Sequence, residues 1–205
     1  MAELRQIEGF ILAGGESSRM GREKALLDIG GEKLIKRMAQ LVESVAGGAT
    51  VVGASANIRA LGLPSIADDW PGAGPLGGIA TALGVSGAPW SLVVACDLPY
   101  LTKAWLQHLA DRALGCEADA VCAMNTRGVE PLAAMYHQRA EAVIRSALTQ
   151  GTRKVTDALE KLTVEVIEPA EWKPFDSDGY LFKNMNSPED YEEARARLGR
   201  GADTR

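Results

Sequence analysis

Apolar residues in this chain come in short runs that alternate with amphipathic stretches. Ile7 to Ala13 is a near-continuous apolar run that stops at Gly14-Gly15, as expected for a strand buried on both faces of a parallel sheet. Ser91 to Cys96 is the strongest such run, with Asp97 at its carboxyl end. Ala49 to Gly53, Pro64 to Ala67, Ala118 to Met124, Leu132 to Tyr136 and Leu162 to Ile167 read as further strands. Between Lys33 and Val45, residues Leu34, Ile35, Met38, Leu41, Val42 and Val45 recur at helical spacing, and Gly47-Gly48 stops the helix. Ile79 to Val85, Thr102 to Ala113 and Gln138 to Thr149 read as helices, and Lys154 to Leu159 as a helical turn. Trp70 to Gly78 reads as a loop rich in glycine and proline. Ser187-Pro188-Glu189-Asp190 has the order of a helix start, with a serine cap, proline at the first helical position and an acid three residues on. That helix ends near Leu198-Gly199. The alternation predicts a three-layer α/β/α architecture around a mostly parallel sheet. No linker, repeat or low-complexity tract interrupts it, so residues 1–199 are expected to form one domain and 200–205 a loose tail.

Composition narrows the partners. The 205 residues are 46% hydrophobic and 24% charged, with a formal net charge of −5 and a pI near 5.2. That balance offers no broad basic footprint, so nucleic acid is not an expected partner. Charge is unevenly spread, however: Arg19, Arg22, Lys24, Lys33, Lys36 and Arg37 cluster against only Glu23, Asp28 and Glu32, which predicts a local anion site. Cys96, Cys116 and Cys122 are odd in number and form no CxxC pair; reduced thiols and a cytoplasmic location are the expectation. No signal peptide or membrane span is expected either, because the charged start is followed by a short apolar run only.

The segment Leu12-Ala13-Gly14-Gly15-Glu16-Ser17-Ser18-Arg19-Met20-Gly21-Arg22-Glu23-Lys24 follows the first strand directly. Paired glycines let backbone amides approach an anion without Cβ interference, and successive amides in a tight turn form an anion-binding nest. Ser17, Ser18, Arg19 and Lys24 add donors. The order is neither the GxxxxGK[ST] of P-loop ATPases nor the GxGxxG dinucleotide fingerprint. It reads as a different phosphate cradle, the alternative being an ordinary surface loop. Asp97 stands at the carboxyl end of a central strand, where open α/β sheets bind ligands. Mg²⁺ takes oxygen ligands and completes its shell with phosphates and waters, so Asp97 is the candidate metal ligand; the competing reading is a cap for the helix that starts near Thr102. Cys96 reads as a buried small side chain rather than a nucleophile. His108 and His137 form no cluster with cysteine, so zinc is not expected. Arg153 and Lys154, after Gly151, are either a solvated pair or contacts for an anionic substrate.

The string LAGGESSRMGREKALL, residues 12 to 27, resembles the signature of the nucleotidyltransferase family that includes the molybdenum cofactor guanylyltransferases. Further matches follow in order: Asp68 with Gly74-Pro75-Leu76-Gly77-Gly78, then Cys96-Asp97-Leu98-Pro99, then Glu130-Pro131-Leu132, and finally Asn184-Met185-Asn186-Ser187-Pro188-Glu189-Asp190. The resemblance implies a Rossmann-like nucleotidyltransferase fold. It also implies that Leu12, Ala13, Gly14 and Gly15 cradle the nucleotide, with Lys24 on the phosphates, Asp68 at the guanine end and Asp97 on Mg²⁺. Arg19, Lys24 and Asp97 would be the catalytic set. Asn184 and Asn186, with Arg153 and Lys154, would lie on the acceptor side. The sequence departs from the family in one place: where relatives with guanylyl activity tend to carry an asparagine after the second strand, this chain has Val52-Gly53-Ala54-Ser55, with Ser55 or Asn57 as possible substitutes.

The implied reaction is attack by an acceptor phosphate on the α-phosphorus of GTP, joining GMP to the molybdopterin form of the molybdenum cofactor and releasing pyrophosphate. The alternatives are a cytidylyltransferase using CTP on the same acceptor, or a non-catalytic nucleotide-binding module. The resemblance further implies transient docking to molybdenum cofactor synthesis or acceptor proteins, with no membrane partner.

Overall fold

The computed structural model describes residues 5–14 and 23–199. Among them the strands are β1 (Ile7–Leu12), β2 (Asp28–Ile29), β3 (Glu32–Lys33), β4 (Thr50–Val52), β5 (Ser65–Ile66), β6 (Trp90–Ala95), β7 (Ala120–Asn125), β8 (Gly128–His137) and β9 (Val164–Ile167). The helices are α1 (Leu34–Ala46), α2 (Ala56–Arg59), α3 (Pro75–Val85), α4 (Lys103–Leu114), α5 (Ala140–Thr149), α6 (Val155–Leu159), α7 (Pro169–Trp172) and α8 (Pro188–Leu198). Seven strands form one sheet in the order β5-β4-β1-β6-β8-β7-β9, and β2 and β3 form a separate two-stranded ribbon. Within the large sheet β8 is antiparallel to both its neighbours and the other pairings are parallel. The three-layer, mostly parallel architecture expected from the alternation is what forms.

Period-two alternation sorts the strand residues between two cores. Ile11, Val51, Leu92 and Val94 face α1 and α4, meeting Leu34, Met38, Val42, Trp105 and Leu109. Phe10, Leu12, Val93 and Tyr136 face the other way, onto Leu76, Ile79 and Leu83 of α3 and Ile144 and Leu148 of α5. Because both faces are covered, the central strands carry the near-continuous apolar runs that the sequence shows. From β1 the chain crosses by α1 to β4, and from β6 it crosses by α4 to β7, in the opposite direction along the sheet. The carboxyl ends of β1 and β6 therefore flank the point where the strand order reverses, the crevice in which open α/β sheets take ligands.

Several boundaries differ from the sequence reading for physical reasons. The stretch Trp70 to Gly78 is not a loop throughout: α3 begins at Pro75, with Gly74 as its cap, so Gly77 and Gly78 are helical and buried. A Cβ on Gly77 would stand 2.8 Å from the Trp70 Cβ and 2.9 Å from the Trp70 carbonyl oxygen, so glycine is required there by close packing, although it lowers helix propensity. The strand expected at Leu132 to Tyr136 is the second half of the longer β8, which β7 enters through a tight turn. Helix α2, with Ser55 Oγ accepting from the Ile58 amide, and the short α7 with its following 3₁₀ turn at Lys173–Phe175 fall in segments too short to show a period. The apolar run from Ala25 to Ile29 becomes a 3₁₀ turn, Lys24–Leu26, followed by β2.

The expected start of the last helix is a capping box. Ser187 Oγ accepts from the Asp190 amide at 3.2 Å, while Asp190 Oδ2 accepts from the amides of Ser187 at 2.9 Å and Asn186 at 3.0 Å. These backbone bonds, Asn186's foremost, hold the Asp190 carboxyl below its ordinary value of 3.8. A depressed folded-state value means that the stabilisation is present above the unfolded value and lost as pH falls through the folded one. Asp190→Asn is therefore expected to lower the urea midpoint at neutral pH and to lose less stability than wild type as pH falls below the ordinary carboxylate value of 3.8. Parallel urea titrations of the two proteins across that range check it, and superimposable acid limbs would remove Asp190 from the account.

Candidate active site

The crevice between β1 and β6 is lined by Leu12, Ala13, Gly14, Lys24, Pro75, Cys96, Asp97 and Leu132, among others. Two bonds hold the strand exits in place: the Cys96 amide donates to the Leu12 carbonyl and the Ala13 amide to the Val52 carbonyl, each at 3.1 Å. Gly14 then passes close to Gly53, at φ +73°, where a Cβ would lie 3.1 Å from the Gly14 Cα and 3.2 Å from its nitrogen. A side chain at position 53 would be strained twice, by conformation and by contact. This close approach accounts for a glycine directly after β4; Ser55, further on, is occupied in capping α2, and Asn57 lines a different hollow beside Asp28 and Tyr191.

Lys24 and Asp97 meet across the crevice. The Lys24 Nζ lies 3.9 Å from Asp97 Oδ2 and donates to Asn186 Oδ1 at 2.7 Å. Asn184 Nδ2 donates a long 3.4 Å bond to Asp97 Oδ1, and the Met185 amide donates to the Asp97 carbonyl at 2.8 Å. Two remote parts of the chain thus converge on Asp97, and among the described residues its carboxylate oxygens take these two long contacts. Asp97 does not cap α4; Thr102 does, accepting from the Trp105 amide at 3.2 Å. Burial, followed by the negative charge of Asp97, pushes the Cys96 thiol up to about 12, so the sulfur stays protonated near neutrality and supplies no nucleophile.

The other expected residues fall in distinct places. Asp68 is half-buried next to Gly53, and its Oδ1 accepts from the Trp70 amide and from Thr81 Oγ, both at 2.9 Å. Its neighbour Asp69 is exposed and turned towards Arg145 of α5, 3.9 Å away. Arg153 donates to the carbonyls of Leu148 and Thr152, closing the end of α5. Lys154 is exposed ahead of α6, and neither of these two lines the crevice. Gly15 and Arg19 lie outside the described residues.

One participant carried a sequence signal that was read only as part of a motif. Glu130 is buried beside the crevice, accepting from Asn125 Nδ2 at 3.3 Å and the Leu132 amide at 3.4 Å, with the Arg127 guanidinium 3.7 Å away. Burial raises its carboxyl above the ordinary range, and the charge of Asp97 adds to this. An acid placed between apolar strand positions is the signal that could have singled it out.

The model of the MobA-like NTP transferase domain matches residues 9–164. A protein of Desulfosudis oleivorans named "Molybdenum cofactor guanylyltransferase" is 32% identical over 198 residues, covering 95% of this chain and 97% of that one. One of Pelotomaculum thermopropionicum, named "Probable molybdenum cofactor guanylyltransferase", is 32% identical over 191 residues, covering 93% and 92%. Among solved structures, molybdopterin-guanine dinucleotide biosynthesis protein A of Archaeoglobus fulgidus superposes with a TM-score of 0.80 at 28% identity, covering 92% of this chain and 96% of that one.

Proposed function

The chain belongs to the MobA-like NTP transferase family, and from that premise we propose that it transfers GMP from GTP to the molybdopterin form of the molybdenum cofactor. An oxygen of the acceptor's phosphate attacks the α-phosphorus, the bond from that phosphorus to the β-bridging oxygen breaks, and pyrophosphate leaves. The observation that carries this reading is the facing pair of Lys24 and Asp97, 3.9 Å apart in the crevice that Gly14 also lines.

Little proton chemistry is asked of the protein, because a phosphate acceptor is already anionic. Leu12, Ala13 and Gly14 supply backbone groups at the nucleotide, and in this proposal Gly15 and Arg19 continue that cradle. Lys24 neutralises the phosphates, while Asn186 sets the direction of its ammonium. Positioning and charge stabilisation carry such transfers. Among the described residues no three His, Cys, Asp or Glu side chains gather as a metal cage. The uncommitted oxygens of Asp97 fit Mg²⁺, which uses one or two carboxylates and leaves its remaining positions to phosphates and waters. Bound there, the ion supplies positive charge to the phosphate oxygens. Arg153 and Lys154 belong to the acceptor side in this reading. The free thiols support a cytoplasmic reaction, and in this reading the product is handed over by transient docking to cofactor-synthesis or acceptor proteins.

Lys24→Ala is expected to keep the fold and to lower kcat by about 10²–10³-fold, as for loss of a preorganised charge at a transition state. Steady-state kinetics beside circular dichroism check this, and an unchanged kcat/KM would end the assignment. For Asp97→Asn the expected outcome is lost activity that partly returns at high Mg²⁺, read from a metal titration; full activity at low Mg²⁺ would exclude Asp97 as a ligand. Base choice tests a third residue. Guanine offers two adjacent N–H donors, which a carboxylate accepts, whereas cytosine offers one beside acceptors that a carboxylate repels. With Asp68 Oδ1 held by Trp70 and Thr81, Oδ2 is the oxygen that this reading assigns to the base. Asp68→Ala should erode the preference for GTP over CTP by about 5- to 150-fold, the worth of a desolvated polar contact. Competition between equal GTP and CTP reads it directly, and preferential use of CTP by wild type would overturn the guanylyl reading.

A further inference from the structure

A second cavity, of 540 Å³, opens at the same end of the sheet, between the β7–β8 turn and the segment that follows α7. Its size falls within the usual range for small-molecule pockets, roughly 300–1,000 Å³. Trp172 and Phe182, both buried and packed edge to face at 5.0 Å, are among its apolar lining residues. Arg127 and Lys173 add two cationic groups to that lining, while the Lys183 ammonium, also at its edge, is paired with Glu193 and Asp190. The acid among the lining residues, Asp176, has its Oδ1 bonded to the amides of Tyr180 and Leu181, at 2.8 and 3.0 Å, so it is tied to backbone.

The cavity is joined to the crevice by two short pieces of chain. Phe182 and Lys183 lead directly into Asn184 and Met185, which bond Asp97. Asn125 and Arg127 reach Glu130, two residues before Leu132 of the crevice wall. Arg127 also donates to the Phe182 carbonyl at 2.6 Å, tying the two pieces together. Displacement at phosphorus is in line, so the acceptor must approach from the side opposite the departing pyrophosphate. With the nucleotide taken to lie at the exit of β1, the acceptor in this reading comes from across β6, the side on which β8, β7 and this cavity lie.

We propose that the cavity is the subsite for the ring system of the acceptor: a fused heterocycle with anionic substituents, resting against Trp172 and Phe182 with its negative charge toward Arg127 and Lys173. A flat ring suits an aromatic floor, and the two basic side chains beside it, Lys173 above all, attract an anionic ligand into a protein that is acidic overall. This inference rests on the guanylyl-transfer reading for the identity of the acceptor.

The experiment compares wild type with Lys173→Glu, Arg127→Glu and the double variant. Lys173 is exposed, so its reversal leaves the fold intact even if Arg127→Glu does not. An exposed charge contact is worth up to about 1 kcal/mol, or about fivefold, and reversal replaces attraction with repulsion. The acceptor KM is expected to rise at least about fivefold in Lys173→Glu and further in the double variant, while the KM for GTP stays within about twofold. In parallel, molybdopterin alone is titrated against tryptophan fluorescence, where saturable quenching should be present in wild type, weakened by Lys173→Glu and reduced in Trp172→Phe. Product formation with an unchanged acceptor KM in Lys173→Glu would overturn the subsite and leave the guanylyl reading standing. If wild type makes no guanylylated product, that reading falls, and the quenching titration still decides the cavity: equal quenching in wild type, Lys173→Glu and Trp172→Phe would overturn it.

Discussion

Leu12 lies opposite Ala95 in the parallel pairing of β1 with β6, and the Cys96 amide adds one more rung to the Leu12 carbonyl before the two chains part. Everything at the crevice depends on that register. It delivers Gly14 and Asp97 to the same edge of the sheet, on neighbouring strands whose onward connections diverge. A slip of one residue would exchange the faces of Val93 and Val94, sending each into the core built for the other and turning Asp97 away from the cleft. The register is held by burial rather than by the polar site: Phe10, Ile11, Val93 and Val94 are each at most 3% exposed. The chemistry is thus positioned by apolar packing on both faces, which tolerates no shift.

A second constraint acts across the chain. Lys24 and Asn186 are 162 residues apart, yet their side chains meet at 2.7 Å beside Asp97. This contact needs the segment before α8 to be docked from two directions. Leu181, Phe182 and Met185 are buried in the core on the α4 side, and α8 lies against β2, with the Tyr191 hydroxyl donating to the Asp28 carbonyl at 2.9 Å. The capping box at Ser187 and Asp190 then fixes the Asn186 backbone. A lysine and an asparagine at the surface would ordinarily lose much of their bond to side-chain entropy; here the backbone on both sides is already committed.

How far this was legible in the sequence depends on the kind of signal. The strands β1 and β6, the helix α1 and the capped start of α8 stand out because burial on two faces, 3.6-residue spacing and cap chemistry each leave a local mark. The convergence of Gly14, Lys24 and Asp97 followed from strand order and from motif resemblance together. What stayed hidden is set by tertiary contact. Gly77 reads as part of a loop until its packing against Trp70 within α3 is known. The antiparallel direction of β8 is fixed by the short turn after Asn125, and its apolar run carries no mark of direction. Arg153 and Lys154 read as either a solvated pair or acceptor contacts, and their spacing gives no sign that Arg153 also closes the end of α5. No spacing rule distinguishes a basic residue that faces a ligand from one that faces a carbonyl of its own helix.

The antiparallel strand also governs the electrostatics of the cleft. Running β8 against both β6 and β7 brings the β7–β8 turn to the edge where Asp97 stands, and with it Glu130, a second carboxyl in a buried place. Two acids near one another in a partly desolvated cleft are costly unless each is paired. Asp97 is faced by Lys24, and Glu130 is held by Asn125, the Leu132 amide and Arg127. Both Asn125 and Arg127 come from the turn itself. The turn therefore cannot change shape without exposing a buried carboxyl to the repulsion of Asp97, and through the Arg127 bond to the Phe182 carbonyl the same restraint passes to the segment carrying Asn184 and Asn186.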